Sequence, residues 1–255
     1  MNYRLISVSV SFGCEIIRWA MQRGGVDFIE EKHVPLFYLV RTLPLRAGKF
    51  VPVVIAGETV WQNVPGILAG LDARLPPDRN IYGSDIDERL ANQALLEKLV
   101  TGLSTVTAQY FYSYLLPKRS VMFPLMIDGA PWWERTLLRF TYLPWRIIIA
   151  KAMQISPAVI AAAPRQFQTW FDLLESELSK RARPFFGGAA PAGVDICIAG
   201  LMASFVLPAQ FDGAAPTIDQ LPEDLYRLVQ QSRQRPAGVY ILKVYEHARS
   251  PVQPR

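Results

Sequence analysis

The chain has 255 residues, 51% of them apolar and only 19% charged, which is enough for one large domain or two smaller ones sharing an interface. Its net charge of +5 comes from scattered cations, with no basic helix or arm, which argues against a nucleic-acid partner and for a mild preference for small anionic ligands. Two cysteines, Cys14 and Cys197, and two histidines, His33 and His247, make no spaced ligand set, so no metal is expected, and free thiols fit a reducing, cytoplasmic setting.

At the start of the chain Leu5, Ile6, Val8 and Val10 interleave with Ser7 and Ser9, which reads as a buried strand. Those serines also break any signal-peptide core. A polar turn at Ser11 then feeds an amphipathic helix, with Ile16, Ile17, Trp19, Ala20 and Met21 on one side and Glu15, Arg18, Gln22 and Arg23 on the other. Such a turn presents free backbone N–H groups and a hydroxyl at a helix N-terminus, where an anion is favoured. Arg23-Gly24-Gly25 stops the helix, and residues 26–31 alternate as a second strand, completing a parallel, right-handed strand–helix–strand unit. Residues 32–48 read as irregular or weakly helical: either a solvated loop, with His33 a surface or packing residue, or a rim whose cations Lys32, Arg41, Arg46 and Lys49 attract an anionic ligand.

Phe50-Val51-Pro52-Val53-Val54-Ile55, a turn at Ala56-Gly57-Glu58 and Thr59-Val60-Trp61-Gln62 form an antiparallel hairpin. Pro52 belongs at an edge, a bulge or a cis turn, and Val51 could offer its backbone to an extended peptide. A short helix over 65–75 ends at Leu75-Pro76-Pro77-Asp78. A long one over 84–116 follows, capped by Ser84 or Asp85. The remainder is helical, over 132–140, 146–153, 166–182, 194–206 and 225–233, with a loose tail after Glu246. The most apolar stretch, 142–163, is broken by Pro144, Arg146, Lys151 and Pro157 and supplies no span; contact of this segment with a membrane surface is the less favoured reading.

Taken together, this order of elements resembles the glutathione S-transferase superfamily over nearly the whole chain. Ser11-Phe12-Gly13-Cys14 with Arg18-Trp19-Ala20 is similar to the family's active-site turn in its bacterial-type, serine form. Gly48-Lys49-Phe50-Val51-Pro52-Val53 is similar to its cis-proline strand. Arg183-Pro184-Phe185-Phe186-Gly187-Gly188 and Pro191-Ala192-Gly193-Val194-Asp195 are similar to its downstream capping segment. The resemblance implies an α+β fold: a thioredoxin-like βαβββα domain over 1–77 that binds glutathione, a linker over 78–84, an all-helical domain over 85–246 and a tail over 247–255. It implies that glutathione lies along Val51 and Pro52, that Phe12 and the Gln62-Asn63-Val64 segment hold the rest of it, and that Ser11 stabilises its thiolate for attack on a small hydrophobic electrophile. The electrophile pocket would draw on Tyr110, Phe111 and Tyr114, with Trp132 or Trp133. A homodimer and a detoxifying role are implied by the resemblance alone.

The chain departs from the family pattern where it matters for the ligand. No serine follows the hairpin: the pair that holds the γ-glutamyl group falls on Gln62 and Asn63, or on Asn63 and Val64. Phe12 stands where a proline is common, and Ala192 where a capping serine is. The leading reading is therefore glutathione conjugation, with ether cleavage or dehalogenation as variants. A binding or scaffold protein that has lost catalysis and a thiol reductase acting through Cys14 stand as alternatives.

Overall fold

A computed structural model describes residues 2–249. Strands β1 (Tyr3–Ser7), β2 (Phe28–Lys32), β3 (Val53–Ala56) and β4 (Thr59–Gln62) form one sheet in the order β2-β1-β3-β4. The crossover helix α1 (Phe12–Gly24) makes the β1–β2 pair parallel, with Tyr3 opposite Phe28. The other pairs are antiparallel, with Ile6 opposite Val53 and Val54 opposite Trp61. Gly57, at φ 64°, supplies the left-handed residue of the tight β3–β4 turn.

The sheet is buried on both faces because its residues alternate. Leu5 and Val54 join Ile16 and Ile17 of α1 and Ile67 and Leu68 of α3 (Val64–Asp72) in the main core. Ile6, Val8 and Val53 point the other way, onto Tyr38 and Ala47. The stretch 32–48 is thus not a solvated loop: it closes the second face, carries a single helical turn, α2 (Leu39–Thr42), and is tied down where the Tyr38 hydroxyl donates to the Lys49 carbonyl at 3.0 Å.

The helical part begins with α4 (Ile86–Leu115), capped by Asp85, whose carboxylate accepts from the Asp87 and Glu88 N–H groups at 3.0 Å each. At its centre is α8 (Gly193–Val206), buried along its whole length. Gly200 lets α8 approach α1, since a Cβ there would stand 3.1 Å from Ile16 Cγ1. With α4, α8 and the sheet domain in these positions, the expected α+β architecture is the one observed.

Several helices differ from the sequence reading. The break expected at 141–145 does not exist, since α6 (Trp132–Ala152) runs through Pro144, and the one expected over 154–165 shortens to 153–156, since α7 (Pro157–Ser179) runs through Pro164. Packing overrides the proline penalty of about 3 kcal/mol, because Glu134, Leu138, Tyr142, Trp145 and Ile149 keep one buried face across Pro144. Helix α5 (Arg119–Ile127) was not anticipated; Met122 and Met126 bury it despite Pro124. Helix α9 (Glu223–Gln234) matches its pattern, and α10 (Pro236–Ala248) follows where no helix was assigned. Because α10 continues through His247, the expected loose tail does not begin there. Arg249 donates to Glu15 and Asp212 and lies over Trp19, closing the chain back onto α1. The rest of that expected tail, 250–255, lies outside the described residues.

Candidate functional site

The turn before α1 is built by Ser11. Its backbone is extended (φ −94°, ψ 118°), its N–H donates to the Val8 carbonyl at 3.1 Å, and its Oγ accepts from the Cys14 N–H at 3.3 Å. A serine hydroxyl that accepts in this way still has its own proton to donate, and Ser11 is only half-buried. Two residues on, a Cβ at Gly13 would lie 3.3 Å from both Pro52 Cδ and Val64 Cγ2, and 3.6 Å from Ser11 Oγ. The α1 turn, the cis Val51–Pro52 bond and the start of α3 therefore meet at one point. Val51 sits ahead of β3, and no hydrogen bond among the described residues uses its N–H or C=O.

Asn63 marks the end of the hairpin segment. It holds φ 57° and caps α3, its Oδ1 accepting from Gly66 N–H at 2.9 Å. Gln62, the last residue of β4, is exposed and turned back toward Gly48, whose Cβ position is 2.9 Å from Gln62 Oε1. Val64 is the first helical residue, 7% exposed, and packs on the turn at Gly13. Two helix N-termini, those of α1 and α3, thus converge beside Pro52, and both favour negative charge there.

The aromatic residues divide. Phe12 lies between Phe111 of α4, 6.5 Å between ring centres, and Phe211 of the loop after α8, at 5.6 Å. Tyr110 is core, edge-on to Phe167 at 5.2 Å, and Tyr114 donates to Asp224 at 3.1 Å. Of the three residues expected to line a pocket, Phe111 is the one that touches the turn through a ring contact. Trp133 stands edge-on to Phe37 at 5.8 Å, while Trp132 faces outward, 71% exposed.

Phe211 and Tyr112 belong to this region and were missed. Phe211 is placed by the Ala214 N–H donating to the Ser9 carbonyl at 3.0 Å, a contact across most of the chain that leaves no local pattern. The Tyr112 hydroxyl is raised by burial and then by neighbouring Tyr38 and Cys14, so it faces the sheet domain. Tyr38 itself is pushed up to about 12, by burial first and then by Cys14.

Cys14 is fully enclosed. Burial pushes its thiol up, against the smaller opposing effects of the Ser11 hydroxyl, the Val8 backbone and the Arg18 charge. Enclosure and a raised pKa both disfavour the thiolate, the nucleophilic form of a cysteine. Beneath it Arg18 fixes α1 to β2, donating to Glu30 at 2.5 and 3.0 Å and to Glu15 at 2.8 Å. Of the two readings of His33, packing is the one observed: it is 8% exposed and shares a 2.6 Å hydrogen bond with buried Glu134. Among the described residues no group of three or more His, Cys, Asp or Glu side chains could hold a metal ion.

No family model matches the sequence, and no curated protein does. Solved structures do. A glutathione S-transferase from Methylobacterium radiotolerans in complex with glutathione sulfonate aligns over 100% of this chain and 99% of its own, with a TM-score of 0.54 at 18% identity. A glutathione S-transferase from Methylobacillus flagellatus with glutathione bound aligns over 94% and 98%, with a TM-score of 0.54 at 15% identity. A rice glutathione S-transferase in complex with glutathione aligns over 96% of both chains, with a TM-score of 0.52 at 17% identity. From end to end, the fold of this chain is that of the glutathione S-transferases.

Proposed function

We propose that this protein is a glutathione-dependent transferase that binds glutathione at the junction of the α1 turn, Val51–Pro52 and the start of α3. The observation that carries the reading is the meeting at Gly13 of Ser11, Pro52 and Val64, which gathers a half-buried hydroxyl and two helix N-termini at one place. In this reading the unpaired backbone of Val51 pairs with the cysteinyl backbone of the tripeptide. Ser11 then donates to the thiolate, and each unit by which the thiol pKa falls corresponds to about 1.4 kcal/mol. The activated sulfur attacks a small hydrophobic electrophile, and Phe12, Phe111 and Phe211 form the nearest apolar wall.

Ser11, not Cys14, takes the active role, because Cys14 is enclosed and its thiol is raised. The altered anchor supports weaker binding than the usual serine would give. The Asn63 Oδ1 serves its own helix cap and Val64 packs on Gly13, so the hydroxyl of the usual serine is missing, and loss of its charge-assisted hydrogen bond to the γ-glutamyl group costs about 1.5 to 3 kcal/mol. Gln62, exposed at the strand end, and the Asn63 amide NH2 are the polar donors in that segment.

Retention on immobilised glutathione and a glutathione-dependent rise in Tm test the reading. A ligand at about 100 times its Kd adds about 2.7 kcal/mol, a rise of several degrees for a chain of this size. No retention together with an unmoved Tm contradicts it.

A further inference from the structure

We propose that α6 is an interfacial helix that docks this protein on an anionic lipid surface. Its 21 residues span about 30 Å, and its inner face is fixed. Glu134 bonds His33 and the Val34 N–H, Trp145 Nε1 donates to the Pro35 carbonyl at 3.0 Å, and the Tyr142 hydroxyl donates to the Leu116 carbonyl at 2.9 Å. With the helix held by that side, the opposite side is committed to the outside. It carries Trp132 (71% exposed), Phe140 (79%), Leu143 (61%) and Ile147 (64%), bordered by Leu137 and Ile148. A continuous apolar strip of this kind marks an interaction surface.

The charge pattern selects the occupant. At 100° per residue, Arg135, Arg139 and Arg146 fall within about 40° of one another, along one flank of the strip. Arg119 of α5 joins them, donating to the Arg139 carbonyl at 2.7 Å. None of these arginines, nor Lys151, forms an ion pair among the described residues. The acid of α6, Glu134, is buried and committed elsewhere. A second copy paired antiparallel across this face would set the arginine row against itself, which disfavours self-association. Aromatic and aliphatic side chains beside a row of cations are what a helix lying in the headgroup layer of an anionic bilayer requires. No single helix among the described residues is long and apolar enough to cross a membrane; α6 and α7 reach that apolarity only as a pair bent by 62°, and the polar bonds on the inner face of α6 tie it to the protein.

Co-sedimentation of the full chain with phosphatidylcholine vesicles, and with equimolar phosphatidylcholine–phosphatidylglycerol vesicles, tests this. Binding is expected to the anionic vesicles, at least tenfold weaker to the neutral ones, and reduced by salt. Each arginine is worth about fivefold, so R135E/R139E should weaken anionic binding by about thirtyfold or more, and F140E/I147E should abolish it. All four side chains are exposed, so circular dichroism and Tm should be unchanged and a loss of binding is not a loss of fold. The proposal is overturned by equal binding to both vesicles, by no binding to either, by folded variants that bind as well as the wild type, or by a solution dimer that F140E disperses while vesicles capture nothing.

Discussion

His33 and Glu134 lie 101 residues apart and share a buried 2.6 Å hydrogen bond, while the second oxygen of Glu134 accepts from the Val34 N–H at 2.8 Å. One carboxylate thereby joins the sheet domain to α6. Glu134→Ala leaves two buried polar groups unpaired, where His33 Nε2 already lacks a partner, and should cost about 2 to 4 kcal/mol. Thermal melts should show a fall of about 5 to 10 °C, smaller for Glu134→Gln, whose amide oxygen still accepts. An unchanged Tm in the alanine variant would mean that the two parts are joined by other contacts.

Asp195 plays the matching role at the other end of the helical domain. It accepts from the N–H groups of Phe186, Gly187 and Ala192 at 2.7, 2.9 and 2.8 Å, and from the Tyr240 hydroxyl at 2.8 Å. With Ala192 unable to cap α8 by its side chain, this carboxylate holds the entry to the central helix alone. Asp195→Ala should lower stability by about 3 kcal/mol or more, and Tyr240→Phe by about 1, as read from urea midpoints. Equal effects of the two changes would place the stability in the Tyr240–Asp195 hydrogen bond and not in the cap.

Both cysteines are enclosed, and burial raises both thiols. Native protein should therefore give no fast reaction with a thiol-specific disulfide reagent, and two equivalents after denaturation. A single fast native thiol that disappears in Cys14→Ser would restore the reductase reading.

Acid stability should report the Arg18 pair. Burial acts to raise the Glu30 carboxyl, but hydrogen bonding and charge from Arg18, with Ser7 and Lys32, hold it below its ordinary value of 4.5. A depressed carboxyl contributes stability that is present above its unfolded pKa and lost as pH falls through the folded one. Urea midpoints should thus fall as pH is lowered below about 4.5, and less steeply in Glu30→Gln. Buried Glu15, raised by its burial, acts in the opposite sense and is common to both proteins. Parallel pH profiles would assign the acid sensitivity to other carboxylates.

Local pattern carried much of the fold. The alternation around Leu5 and Val54, the Ser11 turn, the hairpin at Gly57 and the cap at Asp85, one of two candidates, all depend on neighbours in sequence; each is present, although β1 ends at Ser7, before Val8 and Val10, and β3 starts at Val53 and not at Phe50. Helices α6 and α7 were cut at Pro144 and Pro164 because a proline's cost is local while the packing that outweighs it, on Trp145 or Phe167, comes from distant residues. The same holds at the site: Ser11 and Pro52 are legible as motifs, but Phe211 reaches Phe12 only through a loop bond to Ser9, and no spacing rule encodes it. His33 reads as a surface or packing residue until its partner at 134 is known, because that partner lies 101 residues away.

The reading of Ser11 as the thiolate's hydrogen-bond donor is tested most directly by titrating the ultraviolet absorbance of the glutathione thiolate bound to the wild type and to Ser11→Ala. The bound thiol should ionise at least one unit below the ordinary value of about 8.5 in the wild type, and within a few tenths of it in the variant, with tripeptide binding retained in both. A bound thiol that ionises like the free one in the wild type, or that is depressed equally in the two proteins, would contradict the role assigned to Ser11.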